Sequence, residues 1–220
     1  MLFALAGTGI QVTVSIPNQQ LLAVAQSNTT AANWVSRNIL PFLPPPTSPP
    51  FPSATNPPLI SAGLDSQIKV STSHSSAIIL ESFPPSQALF NQTWEPVIIP
   101  LLEFLRSTGS YLMLNVYSYY DYIQSNGAIP LDYALFRPLS PEKEAIDSNT
   151  LLHYTNVFDA VVDAAYFAML YMNYTNIPIV VTESRWPSKG GSGEPDATMD
   201  NTNTYNRRDG RKRRDGQKGR

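Results

Sequence analysis

Apolar and polar positions along this 220-residue chain fall into a few separate blocks. Ile10, Val12, Val14 and Ile16 alternate with other residues at the period of a strand, and Pro17-Asn18 closes that run. Residues 28–40 predict a helix with Trp34, Val35, Ile39 and Leu40 on its inner face. Residues 67–72 resume as a strand. Residues 94–106 predict a helix with Thr93 as N-cap, Pro96 in the first turn, and Leu101, Leu102 and Leu105 as its apolar stripe. A strand follows over 111–117. Phe158, Val161, Val162, Ala165, Met169 and Met172 recur at helical spacing across 156–172. Ile177, Ile179, Val180 and Val181 then form a short apolar run, suited to a strand buried on both faces of a parallel sheet. Strands alternating with helices predict a parallel α/β architecture, and no internal repeat is visible.

Two stretches break this pattern. Residues 41–58 hold nine prolines in 18 positions. Such a stretch cannot supply a sheet ladder and favours extended polyproline conformations, so it reads as a linker or loop. Residues 207–220 carry eight Lys or Arg and two Asp. The formal net charge of −2 therefore hides a split, with the acidic body at −8 and the tail at +6. The tail is expected to be disordered, and its charge is that of a segment that contacts nucleic acid. A nucleic-acid partner ranks as a remote alternative, behind a tail created by an altered splice or reading frame.

Composition narrows the chemistry. Cysteine is absent, which removes disulfides and thiolate metal sites. Asn28, Asn91 and Asn173 each open an Asn-Xaa-Thr sequon and are candidate N-glycosylation sites. No metal cluster, phosphate-binding glycine loop or Ser/His/Asp set stands out, and no cofactor is implied. No run approaches the roughly 18–20 apolar residues of a membrane span.

The most informative stretch is 177–188, where the apolar run ends at Thr182-Glu183 and Trp186-Pro187 stops it. A carboxylate at the C-terminal mouth of a buried parallel strand sits where barrels of alternating strands and helices keep their chemistry. Trp186 is an aromatic able to stack on a sugar ring. The alternative for Glu183 is a solvated residue at a strand end. Glu81 and Glu103 read as surface residues, Asp159 and Asp163 as a solvated helix face, Asp121 as a rim position, and Gly190-Gly191-Ser192-Gly193 as a flexible loop.

The segment Val180-Val181-Thr182-Glu183-Ser184, with Trp186-Pro187-Ser188-Lys189, resembles the nucleophile segment of plant endo-β-1,3-glucanases of glycoside hydrolase family 17. Arg185 departs from that pattern, which has Gly there. Thr8–Asn18, Ile68–Ser75 and Leu112–Tyr120 resemble the third, fifth and sixth barrel strands, and Phe158–Ala164 the helix before the seventh. The resemblance implies an incomplete (β/α)₈ TIM barrel over 1–206, with the Pro-rich insert 41–58 in place of the fourth-strand region and the basic tail at 207–220. It implies hydrolysis of internal β-1,3-glucan linkages with retention, Glu183 as nucleophile, and β-1,3-glucan as the partner.

The resemblance also implies substrate contacts from Tyr117, Tyr119, Trp186 and His74. Packing remains an alternative for the tyrosines, and a hydrogen-bonded structural role for His74. The family's general acid lies in a Val-Gly-Asn-Glu-Val segment expected between residues 40 and 67. Residues 1–80 contain no Glu, and Asp65 is their one acid. The chain is therefore expected to be catalytically impaired, with a non-catalytic carbohydrate-binding remnant as the alternative. The resemblance further implies a secreted, wall-located or membrane-anchored protein. The chain is expected to begin after the second strand, without signal peptide or anchor signal, and to lack the last strand after Asn206.

Overall fold

The structure is a computed structural model and describes residues 8, 12–42 and 68–216, with side chains as far as Arg207. The Pro-rich stretch beyond Phe42 lies outside the described residues. The chain divides into two compact units. One comprises Met1–Val70 with Ser107–Gly109, the other Ser71–Arg106 with Ser110–Arg220.

In the first unit, helix α1 spans Asn18–Gln26 and α2 spans Asn28–Asn38. Ser27 separates them in an extended conformation, and its hydroxyl accepts from the Thr30 N–H at 3.2 Å, capping α2. Val35 is buried against Trp34, Ile39 and Ile68. Over its described residues the predicted strand 10–16 does not form, for residues 12–17 have no regular structure. Alternation is a local signal, whereas a strand exists only when its backbone groups find a partner. Pro17, with φ −58°, starts α1 rather than closing a strand.

The second unit holds the core. Its described elements begin with β1 (Ser73–Ser75), β2 (Ile79–Leu80), β3 (Leu89–Phe90) and α3 (Glu95–Thr108). Then come β4 (Leu112–Asn115), α4 (Ser118–Gln124), α5 (Leu131–Ala134), β5 (Ala145–Ile146) and β6 (His153–Tyr154). The last are α6 (Val157–Tyr171), β7 (Ile179–Glu183) and α7 (Met199–Gly216). Strands β1, β4 and β7 form one sheet in that order, all parallel, while β2–β3 and β5–β6 are short antiparallel ladders. The α/β expectation and the parallel sheet are both observed.

The apolar stripes meet where the sheet needs them. Ile98, Leu102 and Leu105 of α3, Leu112 and Leu114 of β4, and Ala160, Val161, Ala164, Ala165, Ala168 and Met169 of α6 are all buried in one cluster. Small residues along α6 let it approach closely. Two boundaries move. The predicted strand 67–72 begins only at Ser73, where it can pair with β4. The cap before α3 is Asn91, not Thr93, because a 3₁₀ turn over Gln92–Trp94 precedes the helix, and Asn91 Oδ1 accepts from the Thr93 N–H at 3.0 Å.

Of the basic segment, expected to be disordered, residues 207–216 lie within a helix. Helix α7 runs from Met199 through Gly216. Arg and Lys are good helix formers, so the segment prolongs a helix already anchored at Asn201 and Tyr205.

The pairing of β4 with β7 carries one irregularity. Leu114 lies opposite Val181 but Asn115 lies opposite Glu183, so Thr182 is the extra residue of a bulge. The Thr182 hydroxyl donates toward Asn115 Oδ1 at 2.7 Å and stands 3.0 Å from Ser73 Oγ, tying all three strands together.

Candidate active site

Glu183 ends β7, and Tyr117 follows β4 by two residues, so both stand at the C-terminal ends of parallel neighbours. The Val116 N–H donates to the Glu183 carbonyl at 2.9 Å, which extends the ladder up to the site. The Tyr117 hydroxyl donates to Glu183 Oε2. That bond, then burial and the nearby negative charge, raise the Tyr117 phenol above its ordinary range. Glu183 itself is exposed, and Tyr117 is half-buried. Tyr120 packs at the Tyr117 ring with centroids 5.7 Å apart. The Arg185 guanidinium lies over that ring at 6.0 Å.

The other predicted contacts separate from this pair. Trp186 is buried, its indole N–H donating to the Asp196 carbonyl at 2.8 Å. Its rings pack against Tyr119, Tyr122 and Tyr205 at centroid distances of 5.0, 5.8 and 5.7 Å. It therefore has no face open to a sugar. Tyr119 is also buried, and its hydroxyl donates to Glu194 Oε1 at 2.9 Å. Both aromatics build the wall behind the site. The sequence shows that large aromatics flank Glu183 but not which way each one turns.

His74 pairs with Leu114, so the strand register turns it toward the face that Leu112, Leu114 and Val116 bury. Ser73, Thr182 and Asn115 share the opposite face. Burial lowers the His74 pKa, and its Nε2 has no partner among the described residues. The geometry fits a neutral packing residue better than a substrate contact.

The segment after Glu183 is more constrained than its glycines suggest. Glu194 accepts from the Gly191 N–H and from Tyr119, each at 2.9 Å, and these bonds hold its pKa below the ordinary range. Asp196 accepts from the Tyr122 hydroxyl at 2.6 Å. A Cβ at Gly190 would stand 2.6 Å from Glu194 Cβ and 2.7 Å from Ala197 Cβ, so this position admits only glycine. Tyr205 reaches Ser184 at 2.7 Å and Ser118 at 3.3 Å. The expectation of a flexible loop is corrected: tyrosines on α4 and α7 fasten residues 184–198 to the core. Three acids in one short stretch downstream of Trp-Pro were the available signal.

Glu103, Asp159 and Asp163 are engaged too. Glu103 pairs with Arg106 at 2.7 Å and accepts from Tyr174 at 2.7 Å. Asp159 and Asp163 are half-buried rather than a solvated face, bonded to Asn156 at 2.8 Å and Tyr154 at 3.0 Å. Among the described residues no group of three His, Cys, Asp or Glu could hold a metal, and no helix is long and apolar enough to cross a membrane. Of the sequon asparagines, Asn28 and Asn173 are exposed and Asn91 is half-buried.

Comparison with known proteins gives a single answer. The family described as Glycosyl hydrolases family 17 matches residues 52–219. Glucan endo-1,3-beta-glucosidase 3 of Arabidopsis thaliana is 63% identical over 226 residues, an alignment covering 94% of this chain and 45% of that protein. Glucan endo-1,3-beta-glucosidase 2 of the same plant is 57% identical with the same coverage. Among solved structures, a beta-1,3-glucanase and allergen of Cryptomeria japonica pollen matches with a TM-score of 0.79 and 38% identity, over 93% of this chain and 68% of that one. The chain spans less than half the length of these curated relatives. A parallel sheet ending in Glu183 and Tyr117, a family match over most of the chain and relatives at this identity agree: the chain belongs to glycosyl hydrolases family 17.

Proposed function

We propose that this chain carries part of a β-1,3-glucan-cleaving site and binds that glucan, with hydrolysis impaired. The observation that carries the reading is the exposed Glu183 carboxylate at the end of a parallel strand, held through Oε2 by Tyr117. That bond leaves Oε1 to approach an anomeric carbon as nucleophile. A retaining glycosidase needs a second carboxyl group about 5–5.5 Å away, to protonate the leaving oxygen and later activate water.

In this reading β1, β4 and β7 are three successive strands of a (β/α)₈ barrel, and the segment with the second carboxyl is missing between α2 and β1. Two observations support the gap. Residues 1–80 contain no Glu. The alignment to the 63%-identical relative runs over 226 residues, more than this chain's 220, although it covers only 94% of them, so the relative carries residues this chain lacks. Without the acid the leaving sugar departs unprotonated, which forfeits about 10²–10⁴-fold in rate.

The substrate is thus internal β-1,3-glucan, and the N-glycosylation of Asn28, Asn91 and Asn173 belongs to a secreted location. The test is the purified chain on laminarin, read both as retention on the polysaccharide and as reducing-sugar release. Retention that is lost on Tyr117→Ala, with negligible release, is expected. Failure to retain laminarin overturns the reading.

A further inference from the structure

Four aromatic rings lie around the Glu183 end of the sheet, and they are not equivalent. Tyr119 and Trp186 are buried against each other. Tyr117 is half-buried and Tyr120 is 53% exposed, so these two are the rings a ligand can reach. Tyr117 is the one bonded to Glu183. A pyranose ring beside Glu183 would therefore lie on the face of Tyr117, its C–H groups against the ring.

That position is contested by a side chain of the chain itself. The Arg185 guanidinium stands over the Tyr117 ring at 6.0 Å, the outer range of a cation–π contact. Arg185 is exposed, and no ion pair holds it elsewhere among the described residues. Glu183 lies two residues away yet takes Tyr117 as its partner. A planar guanidinium stacks on an aromatic face in the way a sugar does, and one group excludes the other. Glycine, which stands at this point of the pattern the segment resembles, has no side chain to do this.

We propose that Arg185 is a specificity-determining residue that occupies the Tyr117 face and weakens the binding of neutral β-1,3-glucan beside Glu183. This rests on the glucan-binding reading above. To bind, the sugar must first displace the guanidinium into water. Since an exposed cation–π contact is weak, the handicap is small: removing the side chain should tighten glucan binding by about two- to fivefold.

The experiment titrates the full chain and its Arg185→Ala and Arg185→Gly variants with laminarihexaose, following Kd by calorimetry. Tighter binding by both variants in that range is the expected result. Unchanged or weaker binding, with the wild-type chain still binding, overturns the role of Arg185 and leaves the glucan reading intact. No binding by any of the three overturns the glucan reading, and this inference with it. A ligand-free measurement tests the contact itself. The Arg185 charge lowers the Tyr117 pKa, so in tyrosine-labelled protein Arg185→Ala should move the Tyr117 ring resonances and raise the pH at which the phenol ionises. Unmoved resonances would equally overturn it.

Discussion

The Tyr117 hydroxyl bonds Glu183 Oε2 across two parallel strands, joining residues 66 positions apart in the chain. It orients one carboxylate oxygen and leaves the other open. A retaining glycosidase needs a second carboxyl group as proton donor, which the proposed reading does not find in this chain. Reducing-sugar release from laminarin by the chain should not exceed that of a Glu183→Gln control. Clear turnover that disappears with Glu183→Gln would mean that another acid serves as proton donor.

Asp121 is mostly buried, its Oδ2 has no partner among the described residues, and burial raises its pKa from 3.8 to about 6. A carboxyl whose folded pKa lies above its unfolded value contributes stability below pH 3.8. That contribution is lost as pH rises through about 6. Asp121→Asn should therefore stabilise the protein at pH 8, by up to about 3 kcal/mol, and have little effect at pH 3.5. Thermal melts of both proteins at the two pH values check this, and equal gains at both would refute it.

The alkaline side has the same sign. Burial and the bond to Glu194 raise Tyr119 to about 12, and the bond to Asp196, with burial, does the same for Tyr122. Their neutral forms favour the folded state, fully below pH 10 and progressively less as pH rises through about 12. Ultraviolet titration should show late-ionising phenols, and the Tyr119→Phe/Tyr122→Phe double variant should show two fewer of them, while those of Tyr133 and Tyr154, which burial also raises, remain.

Trp186 is a structural anchor, so Trp186→Ala should cost about 3–5 kcal/mol in urea unfolding. Tyr120→Ala, at an exposed ring, should stay within about 0.5 kcal/mol of wild type. Equal effects would contradict the burial described above.

Much of this was legible in the sequence. The run ending at Thr182-Glu183 announces β7 and its terminal carboxylate, and the helical period of 156–172 announces α6, because both are encoded within a few adjacent residues. What escaped depends on partners. Residues 10–16 alternate like a strand, yet the described residues 12–16 pair with nothing described, and helix α1 follows Pro17 with none of its apolar residues buried. The antiparallel ladders β2–β3 and β5–β6 are two residues per strand, too short to leave a period. Trp186 and His74 turn into the packing rather than toward an open face, a direction that packing and strand register fix and that a linear pattern does not show.

The extra residue in β7 has a further consequence for the site. A strand assigns odd and even positions to opposite sides, so an unbroken ladder after Leu114–Val181 would set Thr182 against Asn115 and Glu183 against the fully buried Val116. The carboxylate would then point into the hydrocarbon interior. One unmatched threonine shifts the parity, and Glu183 emerges beside Asn115 and Tyr117. Deleting Thr182 would restore a regular ladder and still leave the glutamate opposite Asn115. Deleting Val180 would shift residues 177–179 to the opposite parity, or else reseat the strand and drive its charge toward the core. Two shortenings of equal length, two residues apart, would thus leave very different proteins.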